Sequence, residues 1–202
     1  SVLWTRLPEY YQADSWRLSR TLDGGVVWNQ ASHYVDLLAL AMGEIESVFA
    51  YGDNFLSPAN TEDTVFALLR NKNGAIGSLQ ATTTVRPKNF EGSLTVSGDA
   101  GLMKVGGHAL NILESDTADQ ILAPQRSHGI QTSDVYGTSH SLVYLEVIRD
   151  LSGLGRSQFR AESALQPIAV MEAMHLSIET GKTVKIDDVV SLAKAHFEKR
   201  IE

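Results

Sequence analysis

The stretch Thr64-Val65-Phe66-Ala67-Leu68-Leu69-Arg70, then Asn71-Lys72-Asn73-Gly74-Ala75, then Ile76-Gly77-Ser78-Leu79-Gln80-Ala81-Thr82-Thr83-Thr84 decides the fold. Both flanks carry residue types that suit a pleated surface, and Asn73-Gly74 marks a tight reversal between them. So short a connection forces antiparallel pairing, because a parallel crossover needs a dozen residues or more. The same two-residue period recurs at Ser47–Tyr51, Ser93–Ser97, Leu102–Val105 and Asn111–Leu113, with a second reversal at Gly98-Asp99-Ala100-Gly101. These segments predict an antiparallel meander of about five or six strands. Thr64–Leu69 is apolar on both alternating sets, which predicts a sheet with both faces covered.

Helices flank the meander. Ala31, Tyr34, Val35, Leu38 and Met42 recur at helical spacing, which predicts a helix over Asn29–Met42, stopped by Gly43. Later helices are predicted at Ser139–Leu151, from Ser163 to Thr180, and at Val189–Lys199 capped by Asp187 or Asp188. Residues 115–137 read as a long polar loop. Residues 1–23, with Trp4, Tyr10, Tyr11 and Trp16, read as a loop or an edge strand over a cleft, or as plain packing. Helix, then antiparallel strands, then helices is the order of an α+β domain: one large open sheet with helices packed on one face. The predicted organisation is a single domain over 1–202. A second copy of the chain is the natural cover for the other sheet face.

Composition narrows the function. The chain has 202 residues, 43% hydrophobic and 20% charged, as in ordinary globular proteins. It has no cysteine, which excludes a disulfide framework, a thiol nucleophile and a cysteine-ligated metal. That fits a reducing cytoplasm. The net charge of −7 and the lack of a basic run argue against nucleic-acid binding. No apolar stretch reaches the roughly 20 residues of a membrane span. Ser1-Val2-Leu3-Trp4 lacks the features of a signal peptide and reads as an internal cut through a longer protein. No G-x-G-x-x-G follows a strand, and Gly153-Leu154-Gly155 has Gln158 where the last glycine belongs, so no Rossmann domain is expected in this chain. The P-loop, H-E-x-x-H and G-x-S-x-G are absent as well.

Chemistry concentrates in Gly24-Gly25-Val26-Val27-Trp28-Asn29-Gln30-Ala31-Ser32-His33-Tyr34-Val35-Asp36. On one helix, Asn29, His33 and Asp36 share a face. His33 can exchange a proton with a hydroxyl near neutral pH, and Asp36 can orient its ring. Each can equally be a structural polar residue, and two such ligands rarely make a metal site, so no metal is expected. Secondary candidates are Arg17 for a substrate carboxylate or phosphate, Trp16 for stacking on a sugar face, and His140 at a helix start; ion pairing, core packing and capping are their plain alternatives. His108, His128, His175 and His196 receive no role.

The ordered series Tyr10-Tyr11, Trp16-Arg17, Asp23-Gly24-Gly25, Asn29-Gln30-x-x-His33-x-x-Asp36-Leu37-Leu38 and Gly43 resembles the C-terminal domain of the glucose–fructose oxidoreductase / inositol dehydrogenase / rhizopine-catabolism (Gfo/Idh/MocA) family. Glu62-Asp63-Thr64, Ser97-Gly98-Asp99-Ala100-Gly101, Val135-Tyr136-Gly137-x-x-His140 and Ser177-x-x-Thr180-Gly181-Lys182-x-Val184-Lys185-Ile186 agree with it, over about residues 10–186. The resemblance implies a dihydrodipicolinate-reductase-like C-terminal fold and a parent with an N-terminal NAD(P)-binding domain. The parent oxidises a hydroxyl of a sugar, nucleotide-sugar or polyol. His33 falls on the family's acid–base histidine. Asn29 falls where many members carry Asp, and resembles the branch acting at the 3-position of UDP-N-acetylglucosaminuronic acid. The family's catalytic lysine belongs to a Glu-Lys-Pro motif, which is missing here. The fragment alone is therefore expected to be inactive, with NAD or NADP held by the other domain and none by this chain. Two other readings stand: a ligand-binding and oligomerisation module without catalysis, and, less favoured, a hydrolase using His33 and Asp36.

Overall fold

The computed structural model describes residues 1–9, 15–55, 60–107, 110, 112–117, 140–155 and 161–198. Tyr10, Tyr11, most of the 115–137 loop, Tyr136, His108 and His128 lie outside the described residues, and so does the side chain of His196. The chain divides into two compact units, Ser1–Phe90 with Gln166–Glu202, and Glu91–Leu165.

In the first unit the strands β1 (Val2–Thr5), β2 (Ile45–Asp53), β3 (Thr64–Asn71), β4 (Ile76–Thr82) and β8 (Val184–Lys185) lie in the order β1-β4-β3-β2-β8. The hairpin read from Asn73-Gly74 is present: β3 and β4 pair antiparallel from Thr64↔Thr82 to Arg70↔Ile76. Gly74 takes φ +91°, the region a tight reversal needs and glycine tolerates. β2 pairs antiparallel with β3 and with β8. β1 runs parallel to β4, with Val2 opposite Leu79. Its Trp4 is buried and stacks on Tyr34 at 4.8 Å. The reading of residues 1–23 as a loop or edge strand thus gives way to a four-residue strand that packs into the core.

The period-two pattern sorts the sheet into two faces. Val48, Ala50, Val65, Ala67, Leu69, Leu79 and Ala81 point inward and are buried. Helix α1 (Ser32–Met42) and the long helix Leu165–Thr180, called α3 below, cover this face. A Cβ on Gly77 would meet Met42, and one on Gly52 would meet Ile178. Ser177 Oγ also accepts the Ala50 N–H. A last helix, α4 (Ile186–Glu198), carries Asp187 and Asp188 in its first turn rather than at its cap, where they complement the helix dipole. The opposite face exposes Tyr51, Phe66, Leu68 and Ile76. Among the described residues, β3 has one buried face and one exposed face.

The second unit holds three antiparallel strands, β5 (Gly92–Gly98), β6 (Gly101–Gly106) and β7 (Ile112–Asp116), with the predicted reversal between β5 and β6. It also holds helix α2 (His140–Leu151), none of whose residues is buried. The architecture is α+β, with an open and mostly antiparallel sheet.

Candidate functional site

The predicted helix over Asn29–Met42 is broken at its start. Val26–Gln30 form a π-type turn, and α1 begins only at Ser32. Asn29 therefore sits on the turn, one element before His33 and Asp36, and the three do not share one α-helical face. The turn is wide because its free N–H groups are satisfied from a distant strand end. Glu62 accepts from Val26 through its backbone oxygen (3.1 Å) and from Val27 through Oε1 (3.4 Å). Gly25 permits this approach. Its φ of +80° with ψ −172° is a region essentially reserved for glycine, and a Cβ would lie 2.2 Å from Glu62 Oε1.

His33 and Asp36 are both exposed on α1. No hydrogen bond joins them, so the orienting role read for Asp36 is not formed in this structure. Asn29 is half-buried and engaged. Its Nδ2 donates to Asp23 Oδ1, and its Oδ1 accepts from Gln30 Nε2 at 2.6 Å. Asp23 is 6% exposed, and its Oδ2 has no hydrogen-bond partner among the described residues. Burial pushes its carboxyl up to about 6, with the nearby Glu62 charge adding to the rise; Asn29, the Gly25 amide and the Arg17 charge oppose it. Arg17 and Trp16 lie on a single 3-10 turn, Ser15–Leu18, with the guanidinium 5.1 Å from the indole centroid. Trp16 is 42% exposed, which leaves it available to stack on a ligand. His140 is exposed at the start of α2, in the second unit.

Sequence reasoning passed over a buried polar chain behind this turn. Trp28 Nε1 donates to His175 Nδ1 (3.3 Å), and His175 Nε2 lies 3.1 Å from Glu62 Oε1. Indole N–H can only donate, so Nδ1 must accept and the ring proton sits on Nε2, facing the carboxylate. Thr61 Oγ1 donates to Glu62 Oε2 at 2.7 Å, and Arg20 stands 3.7 Å from the same oxygen. Burial raises the Glu62 carboxyl, but the hydrogen bond from His175, with help from Thr61, outweighs burial and holds it below the usual carboxylate range. The one sequence signal was Glu62-Asp63-Thr64, read only as part of the family resemblance.

The raised Asp23 carboxyl has a measurable consequence. An acid whose folded value exceeds its unfolded value stabilises the fold fully below the unfolded value, and that contribution is lost as pH rises through the folded one. The window runs from the ordinary 3.8 to about 6. Across it the protein is expected to lose about 3 kcal/mol from this group. Asp23→Asn should remove that slope. Denaturation midpoints from pH 3.5 to 7 check it, and an unchanged slope in the variant would count against the assignment.

Among the described residues no group of three or more His, Asp or Glu is placed to hold a metal. No helix there is long and apolar enough to cross a membrane.

The described elements form an open α+β sheet with a polar turn at the head of its first helix. Residues 1–104 match the family model described as the GFO/IDH/MocA C-terminal domain. The chain belongs to the Gfo/Idh/MocA family. It is similar to the WlbA dehydrogenase from Bordetella pertussis, solved with NADH and UDP-GlcNAcA: 36% identity, 91% of this chain and 53% of that one, TM-score 0.74. The WlbA dehydrogenase from Chromobacterium violaceum, also solved with NADH and UDP-GlcNAcA, matches at 35% identity over 91% of this chain and 52% of that one, TM-score 0.75. Levoglucosan dehydrogenase in complex with NADH shares the fold at 17% identity, 92% and 57% coverage, and TM-score 0.74. The chain spans about half the length of these relatives. No curated protein sequence gave a match.

Proposed function

We propose that this chain is the substrate-binding part of an NAD(P)-dependent dehydrogenase that oxidises a hydroxyl of a nucleotide-linked sugar acid. The observation that carries this reading is the 36% and 35% identity, over 91% of the chain, to dehydrogenases solved with UDP-GlcNAcA. The polar turn at Asn29, beside the exposed His33, supports it. A nicotinamide held by the rest of the parent would supply the hydride acceptor. The residues of this chain bind the sugar and manage the proton. His33 Nε2 or Nδ1 accepts the hydroxyl proton. Asn29, whose amide cannot act as a base, donates to or accepts from a sugar hydroxyl. Trp16 offers a stacking face, and Arg17 offers a partner for the sugar carboxylate or a phosphate. Asp36 on α1 is a further substrate contact. The isolated chain is inactive, and it works in the cytoplasm as a single domain.

The test is turnover by the protein joined to its nucleotide-binding half, with NAD and then NADP, across UDP-GlcNAcA, UDP-GlcNAc and free polyols. Reduced cofactor with UDP-GlcNAcA alone supports the reading. Turnover of unlinked polyols only would displace the substrate class, and reduced cofactor formed by the isolated chain would displace the division of labour.

The reading includes self-association through the open sheet face. Phe49 and Tyr51 on β2 lie opposite Leu68 and Phe66 on β3, forming one apolar surface that the helices leave uncovered. Such a patch marks an association site. Leu68→Glu is expected to weaken self-association by about 30-fold or more, the scale of an interface hot spot. Sedimentation velocity at micromolar concentration checks this, and an unchanged distribution would remove the sheet face as the interface.

A further inference from the structure

We propose that the Trp28–His175–Glu62 chain is a positioning device that holds the Asn29 turn in place for substrate, with His175 as its central positioning residue. The inference rests on the reading of Asn29 as a substrate contact. Trp28 is the residue before Asn29, and its indole N–H is tied to His175 on α3. His175, 4% exposed, passes that tie to Glu62, which holds the N–H groups of Val26 and Val27. The π turn is thus fixed at its first two residues and at its third, immediately before Asn29. Asn29 is held in turn by Asp23 and Gln30. A wide helical turn has little intrinsic stability, and such turns occur chiefly at functional sites. This one persists because side chains 35 and 147 residues away complete it.

The tautomer makes the device specific. His175 must accept at Nδ1 and donate at Nε2, and glutamine offers one acceptor and one donor on a side chain of similar reach. His175→Gln should therefore keep the chain connected, whereas His175→Leu fills the space and breaks both links. Trp28→Phe removes the single N–H that begins the chain.

Two readouts decide the matter. The first is amide hydrogen exchange on this 202-residue chain. In His175→Leu, exchange at Val26, Val27 and Asn29 is expected to speed up about 10-fold, the equivalent of one buried hydrogen bond, while Leu69 and Leu79 in the sheet hold their protection. His175→Gln should stay within about 3-fold of the parent. Should His175→Leu fail to fold, Trp28→Phe supplies the same comparison. Unchanged exchange at the turn, or an equal rise in the sheet, overturns the proposal. The second readout is kinetic, on the protein joined to its nucleotide-binding half. KM for the sugar is expected to rise about 10-fold in His175→Leu with kcat within about 3-fold, and His175→Gln to restore it, the pattern of lost binding rather than lost chemistry. A lower melting temperature with both constants unchanged makes the chain merely structural and also overturns the proposal. If the unmodified protein turns over none of the sugars, that failure falls on the proposed function, and the exchange result alone then decides whether the chain holds the turn.

Discussion

Replacing His33 by alanine in the protein joined to its nucleotide-binding half is expected to lower kcat by about 10²- to 10⁴-fold, the usual worth of a positioned general base. The expectation follows from what surrounds the ring. His33 is exposed at the first turn of α1, and among the described residues no side chain hydrogen-bonds to its nitrogens. The neighbouring candidate, Asn29, carries an amide that has no proton-accepting role to fall back on. The loss should therefore appear in kcat and in kcat/KM together, because proton transfer belongs to the reaction step and not to ground-state binding. Asp36→Asn is expected to cost less, under about 10-fold, since no hydrogen bond joins Asp36 to the ring and a positioning effect through solvent is weak. Steady-state kinetics at saturating cofactor check both. Full turnover in the alanine variant would remove His33 from the chemistry, and an Asp36 effect as large as the His33 effect would mean that the carboxylate closes on the ring once substrate binds.

How much of this was legible in the sequence divides along the range of the interactions involved. The strands were readable because alternation and turn chemistry are local: Asn73-Gly74 fixes the β3–β4 register by itself. The parallel strand Val2–Thr5 was not, since four residues carry no usable period and the partner, β4, lies far along the chain. Asn29 and His33 lie on the π turn and the first turn of α1, so the predicted single helical face is broken between them. The break at Ala31 depends on Glu62, which lies 35 residues from Val27 and whose carboxylate reshapes the first turn. His175 carried no local signal at all. Its role arises from a contact 113 residues away. Asp23 was readable as part of a turn, and only packing makes it a buried acid.

Glu62→Ala is expected to destabilise the chain by about 3–5 kcal/mol, the scale for leaving several buried donors without an acceptor. The loss is large because one carboxylate serves many donors. Without it the Val27 N–H, the Thr61 hydroxyl and the His175 Nε2–H lose their acceptor, and Arg20 keeps only Glu179. Each buried donor left unsatisfied costs about 1–3 kcal/mol, so the sum is limited by how far water can enter the vacated space. Glu62→Gln keeps the shape and one acceptor oxygen and is expected to cost about half as much. The pH dependence separates the two contributions. Because the folded carboxyl titrates below its ordinary 4.5, its charge stabilises the fold above that value, and the contribution fades as pH falls through the folded value. The gap between the unmodified chain and Glu62→Gln should therefore be widest near pH 7 and close toward pH 3, opposite in sign to the Asp23 effect. Gly25→Ala attacks the same contact from the other side, forcing a Cβ into the carboxylate and a side chain onto a glycine-only backbone. Urea midpoints at the two pH values measure all three variants. If Gly25→Ala and Glu62→Ala were each within about 1 kcal/mol of the unmodified chain, the carboxylate would not be what shapes the turn, because surface substitutions alone produce changes of that size.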